Sequence, residues 1–595
     1  MRKVYHIVML DPYRMVFVNL ITFFILLAGV FIYKFIYPKK KINLFYLLIL
    51  ISILPVISML RAGTYQSGDF NIHIYRSMEF YNSLKEGIIM PSWAKDLNAT
   101  YGLPLFAFNY TLPYYLISFF HFLGFSFIAS MKLFLGVNLI LSGIFMYVMA
   151  KDYFKNRLAA FSTAIFYIFA PYHLISTHFK ITIGEILTFA ILPLLFLFVN
   201  RFISRKKPID LILSGFFLGI LAMSHIYIAI ITVPILFVYV LFYLGINIRS
   251  LIFYFIILFT GALVSAYQWS APLIYNSYLF IHIHPIDVSK MYYPTLIDLL
   301  YAPWRFGFLF QGPKGQLSFL IGYAQLFVIA AILFYIVKNK LSKKIKPSVI
   351  AWLLLLLLLI IFMNPVSKPV WESLPFIGDP GTQRLLILIS FVTSILAGYF
   401  VIINIKKTRI IWLLILFAIG STILNWGQRT VIPQINDKIL TTYIPLSTYT
   451  VDMHFYSNSR WVNPNHQWFS IVPKQYLDIL KGQAIINNTK RLSTVHAYTI
   501  DALTPVTLRE NTLYFPGWEA LANGKQIKMG PDKNGVITFD LPKGQQTLIL
   551  TYHDLYLFAL AKNITLLSIL IIILYSIYYY KKNIANLFSK ALDIS

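Results

Sequence analysis

The amino-acid sequence predicts a polytopic α-helical membrane protein with a small antiparallel β-sandwich domain near its C-terminus. Three observations carry that prediction. Of 595 residues, 58% are hydrophobic and only 12% are charged, whereas soluble globular domains carry about 25% charged residues. Runs such as Val16 to Ile36 are nearly uncharged and apolar all round, and roughly 20 such residues cross a hydrocarbon core of about 30 Å. Residues 426–556 then change character, with frequent polar residues, Asn and Pro and strand-like alternation.

The first apolar run does not read as a cleaved signal. It is too long, and no small-residue cleavage site precedes Lys39-Lys40-Lys41. Ala351 to Phe362 and Ile564 to Ile577 reach spanning length only with their flanks. Basic clusters separate the runs at Lys39 to Lys41, Lys151 to Arg157, Arg205 to Lys207, Arg249, Lys338 to Lys346, Lys406 to Arg409 and Lys581-Lys582. By the positive-inside rule these are cytoplasmic loops. Thirteen spans then fall near 15–36, 43–61, 131–150, 158–176, 182–203, 209–225, 227–246, 251–273, 317–337, 349–364, 384–405, 410–425 and 557–580. Segments 62–130, 274–316, 365–383 and 426–556 lie outside. Lys39 to Lys41 put the N-terminus outside while Arg2, Lys3 and Arg14 pull it in, which leaves room for an interfacial piece within residues 1–14. Residues 112–128 are expected to form an interfacial helix, since a further span there would put Lys151 to Arg157 outside.

This divides the chain into a multi-span domain, 1–425, with its first outer loop at 62–130, an extracytoplasmic β-rich domain, 426–556, and a last span with a cytoplasmic tail, 557–595. The formal charge of +28 comes from the loop clusters, so the basic balance speaks for a lipid bilayer and against nucleic acid. Cysteine is absent, which excludes disulfides and thiolate metal sites.

Within 426–556, Leu492 to Ile500 and Thr507 to Phe515 read as strands. Asn523-Gly524 turns the chain between Glu519–Ala522 and Lys525–Lys528, a strong hairpin signal. Gly535 to Leu541 and Thr547 to Tyr552 follow, joined by Pro542-Lys543-Gly544. Short strands with turns at this spacing predict the sandwich. Trp518 is expected to pack within it rather than bind a sugar.

Charged residues near the outer ends of spans are costly and therefore functional candidates. If the stretch after Ser67-Gly68 is helical, Asp69, His73 and Arg76 share a face, at spacings of four and three. A carboxylate there could serve as general base or metal ligand; the structural alternative is that Ser67 or Asp69 merely caps the helix. After the fourth span come Pro171-Tyr172-His173, His178, Lys180 and Glu185. His173 and His178, five apart, are poorly spaced for a metal pair on one helix. Glu185 lies within an apolar run and needs a partner, which Lys180 or a histidine could supply. Arg305 and Arg384 sit near the outer surface, where a guanidinium can bind phosphate by two parallel bonds or snorkel to lipid headgroups. His282, His284 and Asp287 form a loose group whose spacing specifies no metal site. Gly-rich phosphate loops, HExxH and nucleophile-elbow patterns are missing from the sequence.

The order Gly68-Asp69, Glu86-Gly87, Pro91-Ser92-Trp93 and Tyr101-Gly102-Leu103-Pro104 resembles the start of YfhO-like membrane proteins and the similar family labelled 6-pyruvoyl-tetrahydropterin synthase-related. Met146-Tyr147, Ala170-Pro171-Tyr172, Arg384, Tyr514-Phe515-Pro516-Gly517-Trp518-Glu519-Ala520, Asn523-Gly524-Lys525 and Leu541-Pro542-Lys543-Gly544 continue the resemblance from about residue 60 to the last span. The family label is not itself a sign of pterin chemistry.

The resemblance implies a GT-C glycosyltransferase fold in a bacterial plasma membrane. Its expected partners are a polyprenyl-phosphate sugar donor and a cell-envelope acceptor glycan or polymer on the outer face. The family's loop acid maps onto Asp69 as the base, with His73, Arg76, Lys180, Glu185, Arg305 and Arg384 as candidates for holding substrate and phosphate. Its two amphipathic loop helices match 70–86 and 112–128. Two departures stand out. An extra span, 15–36, precedes the usual start, and the usual acid pair is missing around Asp69, where residue 71 is Asn; divalent-metal dependence therefore stays open and no cofactor is fixed. A flippase for a lipid-linked saccharide, or a non-catalytic scaffold whose outer domain binds an envelope polymer, are the competing expectations.

Overall fold

The computed structural model describes residues 2–280, 292–302, 318–373, 381–427, 431–443, 459–463 and 471–592. It is a polytopic helical architecture followed by a β-sheet region. Among the described residues eight helices are long and apolar enough to cross a membrane, and counting each of two bent pairs as one span gives up to ten. Three shorter apolar helices lie at Leu44–Leu60, Pro208–Ser224 and Tyr323–Val337. All thirteen expected spans fall on these elements.

The differences from expectation have local causes. The span expected over 158–176 is a broken pair, Arg157–Ile168 and Pro171–Lys180, bent by 48°. Pro171 has no N–H to continue the ladder and starts the second piece at its first turn. The span over 251–273 is likewise bent by 73° at Ser265. The expected helix 112–128 stops at Phe122, because Gly124 turns the chain at φ +99° and Ser126 caps the next helix. At 1.5 Å per residue its remaining length is about 16 Å, too short to cross. The expected span at 317–337 starts only at Tyr323, after Gly322 at φ +123°. No separate interfacial piece divides residues 2–14, which continue into one helix, Arg2–Ile36.

In the C-terminal region the strands form two antiparallel sheets. One has the order β3-β6-β10-β9 (Leu477–Lys481, Val506–Leu513, Val536–Leu541, Met529–Pro531). The other has the order β4-β5-β11-β7-β8 (Ala484–Arg491, Val495–Ala502, Gly544–Tyr552, Trp518–Ala522, Lys525–Ile527). β3, β4 and β9 were not legible in the sequence. The Asn523-Gly524 turn forms as expected, with both residues at positive φ, +48° and +77°. Side chains from both sheets meet at Glu510 of β6, whose Oε1 accepts from Arg491 Nη1 at 2.5 Å and Tyr498 Oη at 2.9 Å, with His496 Nδ1 at 2.9 Å. Burial alone would raise this carboxyl, but Arg491 and His496 outweigh it and hold it at about 2.

The sheets are docked on the 62–130 segment. β1 (Thr64–Tyr65) pairs with β2 (Val431–Ile432). Here only glycine fits at position 63, since a Cβ would lie 2.1 Å from the Ile432 carbonyl oxygen. Trp518 is buried, as expected, but against Trp93 of that segment (ring centroids 5.4 Å) as well as Tyr552 (5.5 Å). Arg491 Nη2 donates to Thr100 O at 3.0 Å, Leu513 N to Tyr101 O at 2.8 Å, and Ser493 N to Glu86 Oε2 at 2.6 Å. These bonds lock a left-handed run at Asn98, Ala99 and Thr100 (φ 60°, 54° and 70°), a conformation that costs about 1–2 kcal/mol per residue. Just ahead of it, the fully buried Glu79 accepts from the amides of Lys95 (2.6 Å) and Asp96 (3.2 Å). Burial and the nearby Asp96 push its carboxyl up to about 8.

Candidate functional site

The 67–69 strip lies directly against the end of the broken helix. Gly68 N donates to Phe179 O at 2.8 Å and Asp69 N to Lys180 O at 2.9 Å, and a Cβ on Gly68 would meet the Lys180 carbonyl oxygen at 2.7 Å. The next residues form the expected helix, Phe70–Lys85. Asp69 occupies its N-cap position, yet its side chain makes no capping bond; Ser67 Oγ accepts from Phe70 N instead, at 3.3 Å. The carboxylate is thus left half-buried beside the cluster described next. Burial raises its pKa, against the pull of Lys180 and Arg76 and with a further push from Glu185. His73, one turn on, is buried with Nδ1 3.0 Å from Tyr114 Oη, and burial and Arg76 hold it neutral, well below the usual histidine range. Arg76 bonds the same tyrosine.

The other half of the site comes from the helix break. After Pro171–Ile175 the chain makes one π-turn, Ser176–Lys180, and leaves it through Ile181 at φ +58°. A β-branched residue in that region is strained, and π-turns inside helices cluster at functional positions. The break brings Lys180 back over Glu185, in the first turn of Ile183–Arg205. Glu185 is completely buried. Its Oε1 accepts from Lys180 Nζ at 2.5 Å and Arg384 Nε at 3.2 Å, and its Oε2 from Tyr172 Oη at 2.9 Å. Lys180 Nζ also donates to Tyr172 Oη at 3.2 Å. A buried carboxylate is tolerable only when paired and hydrogen-bonded in this way.

The structure therefore brings Asp69, His73, Arg76, Lys180, Glu185 and Arg384 together, although they lie on three separate stretches of chain. Arg305 falls outside the described residues, as do His282, His284 and Asp287. His173 is a packed core histidine: its ring stacks on Phe189 at 3.8 Å and Nδ1 lies 2.9 Å from Tyr167 O. Among the described residues no three His, Asp or Glu are grouped so as to hold a metal ion. Sequence reasoning missed Tyr172, although it sits in the Ala170-Pro171-Tyr172 motif. It also missed Tyr110, Tyr114, His225 and Tyr227, whose only signal was a polar interruption between apolar runs.

A family model described as 6-pyruvoyl-tetrahydropterin synthase related domain, membrane protein, matches residues 106–432, more than half of the chain. A curated protein of Lactococcus lactis subsp. cremoris, itself uncharacterized, is 27% identical over 209 residues, 34% of each chain. Among solved structures, the apo oligosaccharyltransferase of Archaeoglobus fulgidus is similar with a TM-score of 0.42 at 14% identity, over 67% of this chain and 57% of that one. The arabinofuranosyltransferase AftD from Mycobacteria gives a TM-score of 0.41 at 13% identity, over 66% of this chain and 27% of that one. The chain thus covers about a third of the curated relative and less than two thirds of each structure.

Proposed function

We propose a function from one premise: the chain belongs to the 6-pyruvoyl-tetrahydropterin synthase-related family of membrane proteins. In our reading it is a GT-C-type glycosyltransferase of the plasma membrane. It takes a sugar from a polyprenyl-phosphate donor and transfers it to a cell-envelope acceptor on the outer face. The observation that carries this reading is the placement of Asp69, a half-buried carboxylate that caps nothing, against Lys180 and the Arg384–Glu185 pair.

That arrangement supplies both charges the reaction needs. Asp69 takes the proton from an acceptor hydroxyl as its oxygen bonds to the anomeric carbon. The bond from that carbon to the phosphate oxygen breaks, and the electron pair leaves with the lipid phosphate. A carboxylate whose pKa is raised by burial is a stronger base for this step than an exposed one. Arg76, Lys180 and Arg384 all act on Asp69, alongside Glu185, so cationic side chains stand where the departing phosphate develops its charge. Arg384 suits that anion because a guanidinium donates two parallel bonds. The lipid would enter sideways between helices, and the docked β-sheets would roof the site from the water side.

A flippase for a lipid-linked saccharide is the second reading, favoured by the two bent helix pairs. It needs no base at Asp69. Purified protein given a labelled polyprenyl-phosphate sugar and envelope acceptors separates the two. Label in the acceptor supports transfer; carrier movement across liposomes without transfer supports the flippase and overturns the enzyme.

A further inference from the structure

An aromatic wall runs beside the acid and the cations. Tyr114 stacks on Tyr110 (centroids 6.4 Å, planes 14° apart), and Tyr110 stacks on His225 (5.7 Å, 27°). His225 lies 5.9 Å from Tyr227, whose ring carries the Arg384 guanidinium at 5.6 Å. At its near end the wall is tied to the acid's helix, through Tyr114 to His73 and Arg76. Its far end is the Arg384 that holds Glu185.

The wall is built into the fold. It is assembled from the turn before Leu112–Phe122 and from the hinge between Pro208–Ser224 and Ile226–Leu244. Gly184 lets these meet: a Cβ there would lie 2.5 Å from Ser224 O and 3.0 Å from the Tyr110 ring. Tyr110 and Tyr227 remain half-buried, while Tyr114 and His225 are buried behind them.

The chemistry of such a surface selects a neutral ligand with an apolar face. The π-face is electron-rich and repels a phosphate, whereas the C–H face of a sugar ring stacks on it and its hydroxyls find polar edges. Tyr110 stands beside Asp69 and Tyr227 beside Arg384, so a glycosyl ring seated against them has both the base and a phosphate-binding cation within the same cluster. We propose that Tyr110 and Tyr227, backed by His225, form the subsite for the glycosyl ring of the donor. This deepens the transferase reading and rests on it.

The test is equilibrium binding to the full chain in nanodiscs. The probes are farnesyl phosphate and its glucosyl, galactosyl, mannosyl and N-acetylglucosaminyl derivatives. In wild type, at least one glycosylated probe binds about tenfold more tightly than farnesyl phosphate. Tyr110→Leu and His225→Gln lose that increment while keeping the farnesyl phosphate affinity, which also certifies their folding; Tyr110→Phe recovers it. An increment undiminished in both variants, or no increment in wild type, overturns the subsite and leaves the phosphate site standing. A wild-type chain that binds none of the probes overturns the donor class as well.

Discussion

The Asp69 amide donates to the Lys180 carbonyl at 2.9 Å. This one backbone bond fixes the acid of the 62–130 segment to the turn that ends the broken helix. The two residues are far apart in sequence, and no side-chain rotation separates them. Any motion of the π-turn at Ser176–Lys180 therefore moves both the proposed base and the cation that offsets the leaving phosphate.

Glu185 is the electrostatic centre of the cluster. Glu185→Leu leaves Lys180 and Arg384 facing each other with no carboxylate between them. Breaking a buried pair in this way costs about 3–5 kcal/mol. Unfolding in detergent should show that loss, and Lys180→Met combined with Glu185→Leu should recover part of it.

Glu79 gives the docked sheets a pH dependence. In the folded chain its carboxyl is pushed from 4.5 up to about 8, so the folded state keeps the proton that the unfolded chain releases near 4.5. Stability contributed by this group is complete below about 4.5 and is lost as pH rises to about 8. Thermal unfolding from pH 5 to 9 should fall in wild type. It should be flatter in Glu79→Gln, which keeps an acceptor for the Lys95 and Asp96 amides.

Arg491 serves two partners, Glu510 inside the sheets and Thr100 in the left-handed run. Arg491→Met strands the Glu510 charge and releases that run, at a cost of about 3–5 kcal/mol. Limited proteolysis should then cut near residues 98–102, and Glu510→Gln in the same chain should restore part of the resistance. Glu510 itself, held at about 2, contributes stability present above 4.5 and lost as pH falls toward 2.

Much of this was legible in the sequence because the signals are local. Apolar runs gave the helices, Asn523-Gly524 gave its hairpin, and the spacing of Asp69, His73 and Arg76 gave their shared face. Two kinds of feature stayed hidden. The bends at Pro171 and Ser265 lie within runs that hydropathy averages over, so they read as straight spans. Trp93 against Trp518 is a contact across a long stretch of chain, and Tyr172 reaches Glu185 only because the helix breaks between them. Periodicity holds no information about them. The question of whether Asp69 is a cap could be answered only by geometry, which gives the capping bond to Ser67.

The central claim is that Asp69 is the base of a glycosyl transfer, and its most direct test is the transfer rate of Asp69→Asn beside wild type. Both are supplied with the same labelled polyprenyl-phosphate sugar and acceptor. The variant keeps the backbone bond to Lys180, so folding and binding of farnesyl phosphate serve as controls. The expected result is a rate lowered by about 10²–10⁴, the range for loss of a general base, with the phosphate affinity retained. Transfer at the wild-type rate in Asp69→Asn would contradict the claim.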